Sequence, residues 1–367
     1  MLSVGINTAP LAAARTGVGR YIIGLLQGLG ALPVPGSAGS GSDFSFRPLF
    51  APLHPAPAAR RLLKLLPGAY ALAEASRAAI LERERRRGLT LYHETNHAAP
   101  RFRGPVVLTI HDLSTLLHPE TQEKARVRHF ARALLARARD AERIIVPTEA
   151  IGREVVEHLF VEPERVRRIH HGIDARFTPA QSPQSGLLLY VGALDPRKGL
   201  LTLLDAYDAL PARLARAHPL VLAGPDDRAS PELRRRLCAR RDGSVILSGY
   251  LSDQALLALY RGAAALCLPS LYEGFGLPLA EALACGLPAI ASDDPALLEV
   301  SAGAALHFPR GDAQALSLAL ARVLEDPALR DELAGRGPQR AREFSWARCA
   351  QEHLAVYREA ASGRAGR

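Results

Sequence analysis

The sequence predicts an α/β protein made of two βαβ domains joined by a linker. Three observations carry this. Short β-branched runs alternate with helical segments along nearly the whole chain, the pattern of parallel sheets covered on both faces. Residues 175–186 (ARFTPAQSPQSG) interrupt the alternation with a polar, Pro- and Ser-rich stretch, and the alternation then starts again. The notable loops all fall at the carboxyl ends of the expected strands, where ligands sit in such sheets.

Residues 2–7 (LSVGIN) are a short apolar run, read as a strand. Thr16-Gly17-Val18-Gly19-Arg20 follows and leads into an apolar helical run, Tyr21 to Leu29. Residues 36–45 are small and polar, the composition of a loop. Residues 46–50 (FRPLF) read as a strand weakened by Pro48, which has no N–H to give a ladder. A basic helical stretch covers 58–87 and is broken at Pro67-Gly68. Pro105 to Ile110 is a β-branched run ending in His111-Asp112. Residues 122–140 form a basic amphipathic helix. Ile144 to Pro147 is a strand, Thr148 a helix cap, and 149–159 the helix it starts. Val166 to His170 is a strand leading to His171-Gly172-Ile173-Asp174. In the second half, strands are expected over 187–191, 220–223, 245–247, 264–268 and 288–291. Helices are expected over 200–209, 231–240, 253–261, 278–285 and 312–325, with a terminal helix over 346–360. The domains expected are 1–174 and 187–345, with 175–186 between them and 346–367 as a terminal helical segment.

Composition narrows the class. The chain has 367 residues, 48% hydrophobic and 23% charged, which excludes a disordered chain. Its apolar stretches are interrupted by Lys64, Glu74, Arg77 and Arg261, short of the ~20 clean apolar residues of a membrane span. The N-terminus has neither a basic n-region nor a cleavage site, so a cytoplasmic location is expected. Cys238, Cys267, Cys285 and Cys349 lie far apart, against a disulfide framework or zinc site. The net charge of +9 sits entirely in residues 1–185, which hold 25 Lys and Arg against 16 Asp and Glu, whereas 186–367 balance. A basic half suggests an acidic partner: a phosphorylated substrate, an anionic membrane surface or nucleic acid. A solvated Arg-rich surface is the plain alternative. Aromatic residues are 5% and no nucleic-acid-binding motif is present, which argues against nucleic acid. Lysine occurs three times against 43 arginines, and Lys198 is the only one in the second half. A specific need for an ammonium there is the inference.

The chemistry collects in Pro269-Ser270-Leu271-Tyr272-Glu273-Gly274-Phe275-Gly276-Leu277-Pro278-Leu279-Ala280-Glu281. A buried strand ends at Pro269. Gly274 and Gly276 permit positive φ and close backbone approach. Pro278 suits the first position of a helix. The free amides of the loop and first turn form an anion site fit for a diphosphate. Glu281 can accept hydrogen bonds from ribose hydroxyls and Glu273 from a second, sugar-like group. Taken singly, each is as well explained as a cap or a turn residue. Two Glu eight apart around Gly-Phe-Gly-Leu-Pro favour function.

This segment resembles the Glu-x7-Glu motif of the retaining glycosyltransferases of family 4, in the version of bacterial mannosyl- and rhamnosyltransferases of surface polysaccharides. Leu189-Tyr190-Val191-Gly192-Ala193-Leu194-Asp195-Pro196-Arg197-Lys198-Gly199, Ser248-Gly249-Tyr250-Leu251-Ser252-Asp253 and Phe344-Ser345-Trp346 are similar to its other landmarks. So are Gly17-Val18-Gly19, His111-Asp112 and Gly172-Ile173-Asp174. The resemblance implies the GT-B fold, two Rossmann-like doubly wound domains facing a cleft, with a C-terminal helix crossing back to the first. It implies that Glu273 binds donor-sugar hydroxyls and Glu281 the ribose. Backbone at Gly274, Phe275, Gly276 and Leu277 would meet sugar and diphosphate. Arg197 and Lys198 would neutralise the leaving diphosphate, beside Gly192. Gly249 and Tyr250 would line the base, Gly17 and Val18 the pyrophosphate, and His111 the transferred sugar. Asp112 would orient His111 or act as base toward the acceptor. His170 and His171 stand where the family often has Asn, and are read as structural. Ala193 stands where some relatives carry Arg, which throws weight on Arg197 and Lys198.

The expected function is retaining transfer of a hexose, mannose or a deoxyhexose such as rhamnose, from a GDP-sugar to a glycan or lipid-linked acceptor. No cofactor and no metal are expected, because two cations and a helix N-terminus can hold the diphosphate and no D-x-D element stands in a credible place. The basic first half, including 58–66 (AARRLLKLL), would face a lipid-diphosphate acceptor or the anionic inner face of the membrane. A nucleotide-sugar epimerase of the same fold and a binding-only homologue are the alternatives.

Overall fold

The computed structural model describes residues 1–12, 16–31, 43–50, 69–97, 100–119, 124–179, 186–240 and 242–363. The basic stretch 58–66 and most of the 36–45 loop lie outside them. The chain divides into two compact units. Unit 1 is built on Met1–Leu117, Gln122–Gly172 and Trp346–Arg367, and unit 2 on Ile173–Ser345.

Unit 1 holds six parallel strands: β1 (Leu2–Asn7), β2 (Phe44–Leu49), β3 (Leu91–Glu94), β4 (Val106–Thr109), β5 (Arg143–Val146) and β6 (Val166–Arg168). Their order is β2-β1-β3-β4-β5-β6. β2 starts two residues before the expected strand. It lies at the sheet edge, which is why Pro48 is accepted opposite Ile6. β3 is absent from the sequence reading because LYHE mixes buried apolar and polar residues. Helix Glu149–Leu159 forms where expected, with Thr148 Oγ1 accepting from the Ile151 N–H. The strand expected to reach His170 ends at Arg168.

The helix Trp346–Ser362 packs in unit 1 against Gly17–Ala31. Gly24 and Gly28 make this approach possible, because a Cβ at either would overlap Trp346. A buried hydrogen-bond chain completes the joint, and its direction is determined. Burial keeps His353 neutral; its Nδ1 faces the Cys349 carbonyl at 2.7 Å and must donate to it, so Nε2 accepts from the Tyr21 hydroxyl at 2.8 Å. Tyr21 Oη then accepts from Thr109 at 3.0 Å, and Thr109 Oγ1 accepts from His93 Nε2 at 2.8 Å. His93 Nδ1 is left to accept from Tyr357 at 2.8 Å. Both imidazoles act as donor and acceptor at once, which only the neutral form can do.

Unit 2 also holds six parallel strands: β7 (Leu188–Val191), β8 (Leu220–Ala223), β9 (Val245–Gly249), β10 (Ala265–Leu268), β11 (Ala289–Ser292) and β12 (Leu306–Phe308). Their order is β12-β11-β10-β7-β8-β9. The chain therefore starts at the centre with β7, winds outward through β8 and β9, and returns to β10 on the other side of β7. The carboxyl ends of β7 and β10 flank the point where the winding reverses, the place where such sheets bind ligands. β7, β8, β10 and β11 are almost wholly buried, as strands covered on both faces must be. The start of the expected linker packs on this unit instead. Phe177 is apolar and buried against Tyr260, and Arg261 holds the Arg176 and Thr178 carbonyls. Residues 180–185 lie outside the described residues. Helices Pro295–Ser301 and Pro327–Ala341 were not anticipated; the second carries an internal Pro338, which breaks the sequence pattern. All four cysteines are free. Among the described residues no helix is long and apolar enough to cross a membrane.

Burial lowers the titration of His93, His111, His171 and His353, bringing His111 and His353 to about 4. In the unfolded chain a histidine takes its proton near pH 6.5. The stability these neutral rings confer is complete above that pH. It is lost as the pH falls from about 6.5 to about 4, on the order of 3 kcal/mol for each of His111 and His353. Trp346, the only tryptophan, reports unit 1 by fluorescence. Urea unfolding followed by it is expected to weaken steeply between pH 7 and 4.5, and less steeply in His353→Gln. An equal pH slope in the two proteins would show that His353 is not responsible.

Candidate active site

Within unit 2, Lys198 and Glu273 meet where the winding reverses. Lys198 follows β7, on the short 3-10 turn Pro196–Lys198. Asp195 shapes that turn: its side chain accepts from the Arg197 N–H and its carbonyl from the Lys198 N–H. The buried Asp195 also pairs with Arg228 at 3.0 Å. Glu273 follows β10. Its Oε1 lies 2.6 Å from Lys198 Nζ and accepts from the Ser270 hydroxyl at 2.8 Å. Burial pushes the Glu273 carboxyl up, but Lys198 and Arg197, with the hydrogen bonds from Lys198 and Ser270, outweigh it and hold the group below its ordinary value. The carboxylate is therefore ionised at neutral pH, with an ammonium against it.

The helix Leu277–Ala284 opens beside this pair. It starts one residue earlier than expected, so Pro278 takes the second helical position and Leu277 the first. Gly276 precedes it at φ 85°, and no side chain caps it. The neighbouring helix Leu200–Asp208 likewise follows a left-handed glycine, Gly199, with no side-chain cap. Side chains cap the helices that begin at Pro231, Asp253, Pro295, Ala313 and Pro327, while the short helix Ala212–Ala217 also lacks one. Two uncapped helix starts direct partial positive charge to the region of Lys198, the arrangement that attracts phosphate.

The other candidates are placed as follows. Gly274 and Phe275 are buried, and the Phe275 ring packs edge-on against Phe344 in the core. Glu281 is buried and accepts from the Tyr260 hydroxyl at 2.9 Å. Gly192 follows β7 and abuts Gly224 after β8, where any Cβ would overlap the Gly192 carbonyl. Gly249 ends β9 at φ 64°, and Tyr250 is 52% exposed. Gly17, Val18, His111 and Asp112 belong to unit 1. Gly17 and Val18 open the helix Gly17–Ala31, with Gly17 exposed. His111 is buried after β4. Its Nε2 donates to the Thr95 carbonyl at 2.9 Å, and Nδ1 accepts from His171 at 3.4 Å. Asp112 accepts from both the backbone and the hydroxyl of Ser114. It starts a short helix there.

The sequence matches the family described as Glycosyl transferases group 1 over residues 173–340, and Glycosyltransferase Family 4 over residues 16–177. It is 31% identical to the O-antigen chain mannosyltransferase B of Escherichia coli, over 73% of this chain and 74% of that one. The chain belongs to glycosyltransferase family 4. It is also 30% identical to the serotype-specific mannosyltransferase WbdA of Escherichia coli, over 68% of its own length and 32% of WbdA, so it spans about a third of that relative. Among solved structures, a sucrose-phosphate synthase from Thermosynechococcus elongatus superposes with a TM-score of 0.73 at 23% identity, covering 98% of this chain and 99% of that one. Anabaena HepE in complex with UDP-glucose does so at 0.69 and 17% identity, covering all of both chains. The fold of this family 4 glycosyltransferase is GT-B.

The structure adds to the site residues to which the sequence alone assigns no role: Asp195, Arg228, Tyr260, Ser270 and Asp294. Two of them carried a readable signal. Asp195-Pro196 and Asp294-Pro295 are each an acidic cap followed by a proline that opens a helical turn. Tyr260 and Arg228 carried none, because their partners are distant in sequence.

Gly199 sets the geometry at Lys198. Its φ is 67°, and a Cβ there would overlap the Pro269 carbonyl oxygen at the end of the β10 segment. Gly199→Ala is expected to cost more than the roughly 1–2 kcal/mol of a left-handed Cβ alone. Gly243→Ala, at φ 74° with open space around it, is expected to cost only that. Denaturant titrations of the two variants make the comparison; equal losses would mean the β7 and β10 loops do not constrain each other through Gly199.

Proposed function

We propose that this glycosyltransferase moves a hexose, mannose or a deoxyhexose such as rhamnose, from a GDP-sugar to a growing surface polysaccharide or lipopolysaccharide glycan. The observation that carries the reading is the Lys198–Glu273 pair beside two uncapped helix starts. The names of the Escherichia coli mannosyltransferases support the sugar, and the resemblance of the motifs supports the guanine nucleotide.

The roles follow from charge. A departing nucleoside diphosphate gains negative charge in the transition state. Lys198, a compact point charge, and the helix amides are fixed where that charge develops, so they stabilise the transition state more than the ground state. Arg197 adds to the positive field. Glu273, ionised and held by Lys198 and Ser270, offers acceptor oxygen to sugar hydroxyls. Glu281, oriented by Tyr260, takes the ribose. Gly192, Gly249 and Tyr250 line the nucleotide, and Gly17 and Val18 approach the pyrophosphate. His111, neutral, serves the sugar as a hydrogen-bonding group by exchanging one of its partners, Thr95 or His171. Asp112 contributes through its helix start rather than as the primary base. The family's front-face mechanism, in which the leaving phosphate takes the acceptor proton, requires no protein nucleophile and retains the anomeric configuration. We assign no metal to the site.

The basic excess of residues 1–185 supports an anionic acceptor. A glycan on a lipid diphosphate, at the inner face of the cell membrane, meets that requirement and keeps the enzyme cytoplasmic and peripheral.

A thermal-shift panel with GDP, UDP, ADP, dTDP and their sugar conjugates, with and without EDTA, tests the donor. A ligand at about 100 times its Kd adds about 2.7 kcal/mol to stability, several degrees in a unit of this size. A shift from GDP and GDP-mannose that EDTA does not alter is expected. A shift from UDP alone overturns the donor, and EDTA sensitivity overturns the metal-free site. Lys198→Met and Glu281→Gln are expected to lower kcat by about 100-fold or more; Glu281→Gln is expected to melt close to the parent, and Lys198→Met to melt lower but still fold, because it leaves Glu273 buried without its ammonium. Parental turnover in both would remove these residues from the site.

A further inference from the structure

Asp294 lies just past β11 and is 1% exposed. Its two carboxylate oxygens have separate tasks. Oδ1 accepts from the Ala296 and Leu297 N–H groups at 2.9 and 3.3 Å and caps the helix Pro295–Ser301. Oδ2 accepts from the backbone N–H of Glu273 at 3.3 Å. The loop that carries Glu273 has no regular structure of its own, and the ends of β11 and β12 hold it. Ser292 donates to the Ser270 carbonyl at 2.5 Å, and Arg310 to the Leu271 carbonyl at 3.3 Å. Glu273 is thus fixed twice, by its side chain from the β7 end and by its backbone from the β11 end.

We infer that Asp294 is a positioning residue for transfer: its Oδ2 sets the backbone of Glu273 and so the place of the Glu273 carboxylate. This rests on the reading of Glu273 as the donor-sugar ligand. Asp294 touches no substrate in this scheme; it acts through Glu273 alone. A displacement of about 1 Å in such a group is enough for a loss of about 100-fold in rate.

The contact depends on protonation. A proton on Oδ2 would face the Glu273 N–H, donor against donor, and the bond would break. The charged groups that face Asp294 are Glu273 from the β10 loop, with Lys198 and Arg197 beyond it, and Arg310 from the β12 loop at 3.7 Å. Asp293 adjoins it in the chain. Burial, then the Glu273 charge, push Asp294 up to about 6. The contact is therefore made above that pH and lost below it.

Asp294→Asn separates the two tasks. An amide has one carbonyl oxygen, which keeps the helix cap and turns an NH2 toward the Glu273 N–H, with volume unchanged. With GDP release from GDP-mannose as the assay, kcat is expected to fall at least about tenfold and the donor KM to stay within about threefold. The parent is expected to lose kcat as the pH falls through about 6, and the variant to lack that limb. Asp294→Ser keeps a cap without Oδ2 and is expected to behave like the Asn variant. Amide hydrogen exchange of the peptide spanning 270–276 needs no turnover. After correction for intrinsic exchange rates, it is expected to rise in both variants at pH 7 and in the parent below pH 6. Parental exchange, kcat and acid limb in Asp294→Asn, where Glu273→Gln has lost activity, would overturn the inference. Full activity in Glu273→Gln would instead overturn the reading on which it rests.

Discussion

The ion pair between Lys198 and Glu273 is the constraint around which unit 2 is organised. A carboxylate and an ammonium that are both largely removed from water are costly to bury, and each becomes more so if the other is lost. The pair is tolerable only because further groups converge on it. Ser270 donates to the carboxylate, Arg197 adds to the positive field, and Asp195 builds the turn that presents the ammonium. None of this would be possible if β7 and β10 were not neighbours. They are neighbours because the chain begins at the centre of the sheet, winds out one side and returns on the other. The topology thus creates a place where two strand ends lie together with no crossover above them, and the charges occupy it.

Unit 1 solves a related problem with neutral groups. Its C-terminal helix is held by Tyr21, His93, Thr109, His353 and Tyr357, each buried. Their hydrogen bonds run in one sense, from Tyr357 to the Cys349 carbonyl, with every proton position determined by its neighbours. A neutral chain of this kind carries no ion-desolvation cost at neutral pH. It fails if any member gains a charge, because a protonated imidazole cannot accept. The ion pair of unit 2 behaves differently. Its carboxylate is held down by the cations beside it and by the Ser270 hydroxyl, and it keeps its charge. The same fold class therefore hosts a charge-tolerant site in one unit and a charge-intolerant joint in the other.

What could be read in the sequence follows from how local each signal is. The strands buried on both faces, Leu220–Ala223 and its counterparts, announce themselves as continuous apolar runs. Thr148, standing ahead of a helical pattern, marks its own cap. Gly276-Leu277-Pro278 betrays a helix start with free amides. Lys198 was conspicuous through composition alone, as the only lysine in an arginine-rich half. By contrast β3 is hidden because His93 and Glu94 are polar residues buried by partners far away in sequence: Asn7, Thr109 and Tyr357. Periodicity cannot detect a polar residue satisfied at long range. Phe177 misled for the opposite reason. One aromatic residue in a polar, proline-rich stretch is enough to draw the start of the expected linker onto the core of unit 2. Tyr260 beside Glu281 belongs to the first kind, an interaction visible only when strand and helix are folded together.

Asp195 and Asp294 show how the two kinds of signal combine. Each is an Asp-Pro, and each starts a helical turn, which is a local role with a local signature. Each also spends its remaining capacity on the site, Asp195 on Arg228 and Asp294 on the Glu273 amide. A carboxylate has two oxygens, and a cap needs only one of them. An aspartate cap at a strand end therefore carries a spare acceptor aimed across the sheet toward neighbouring loops. Serine, which caps elsewhere in this unit at Ser230 and Ser252, has a single side-chain oxygen and no such second reach. Aspartate also caps elsewhere in the unit, at Asp312 and Asp326, but at the two turns that border Lys198 and Glu273 the second oxygen makes the cap of the scaffold its connection to the site as well.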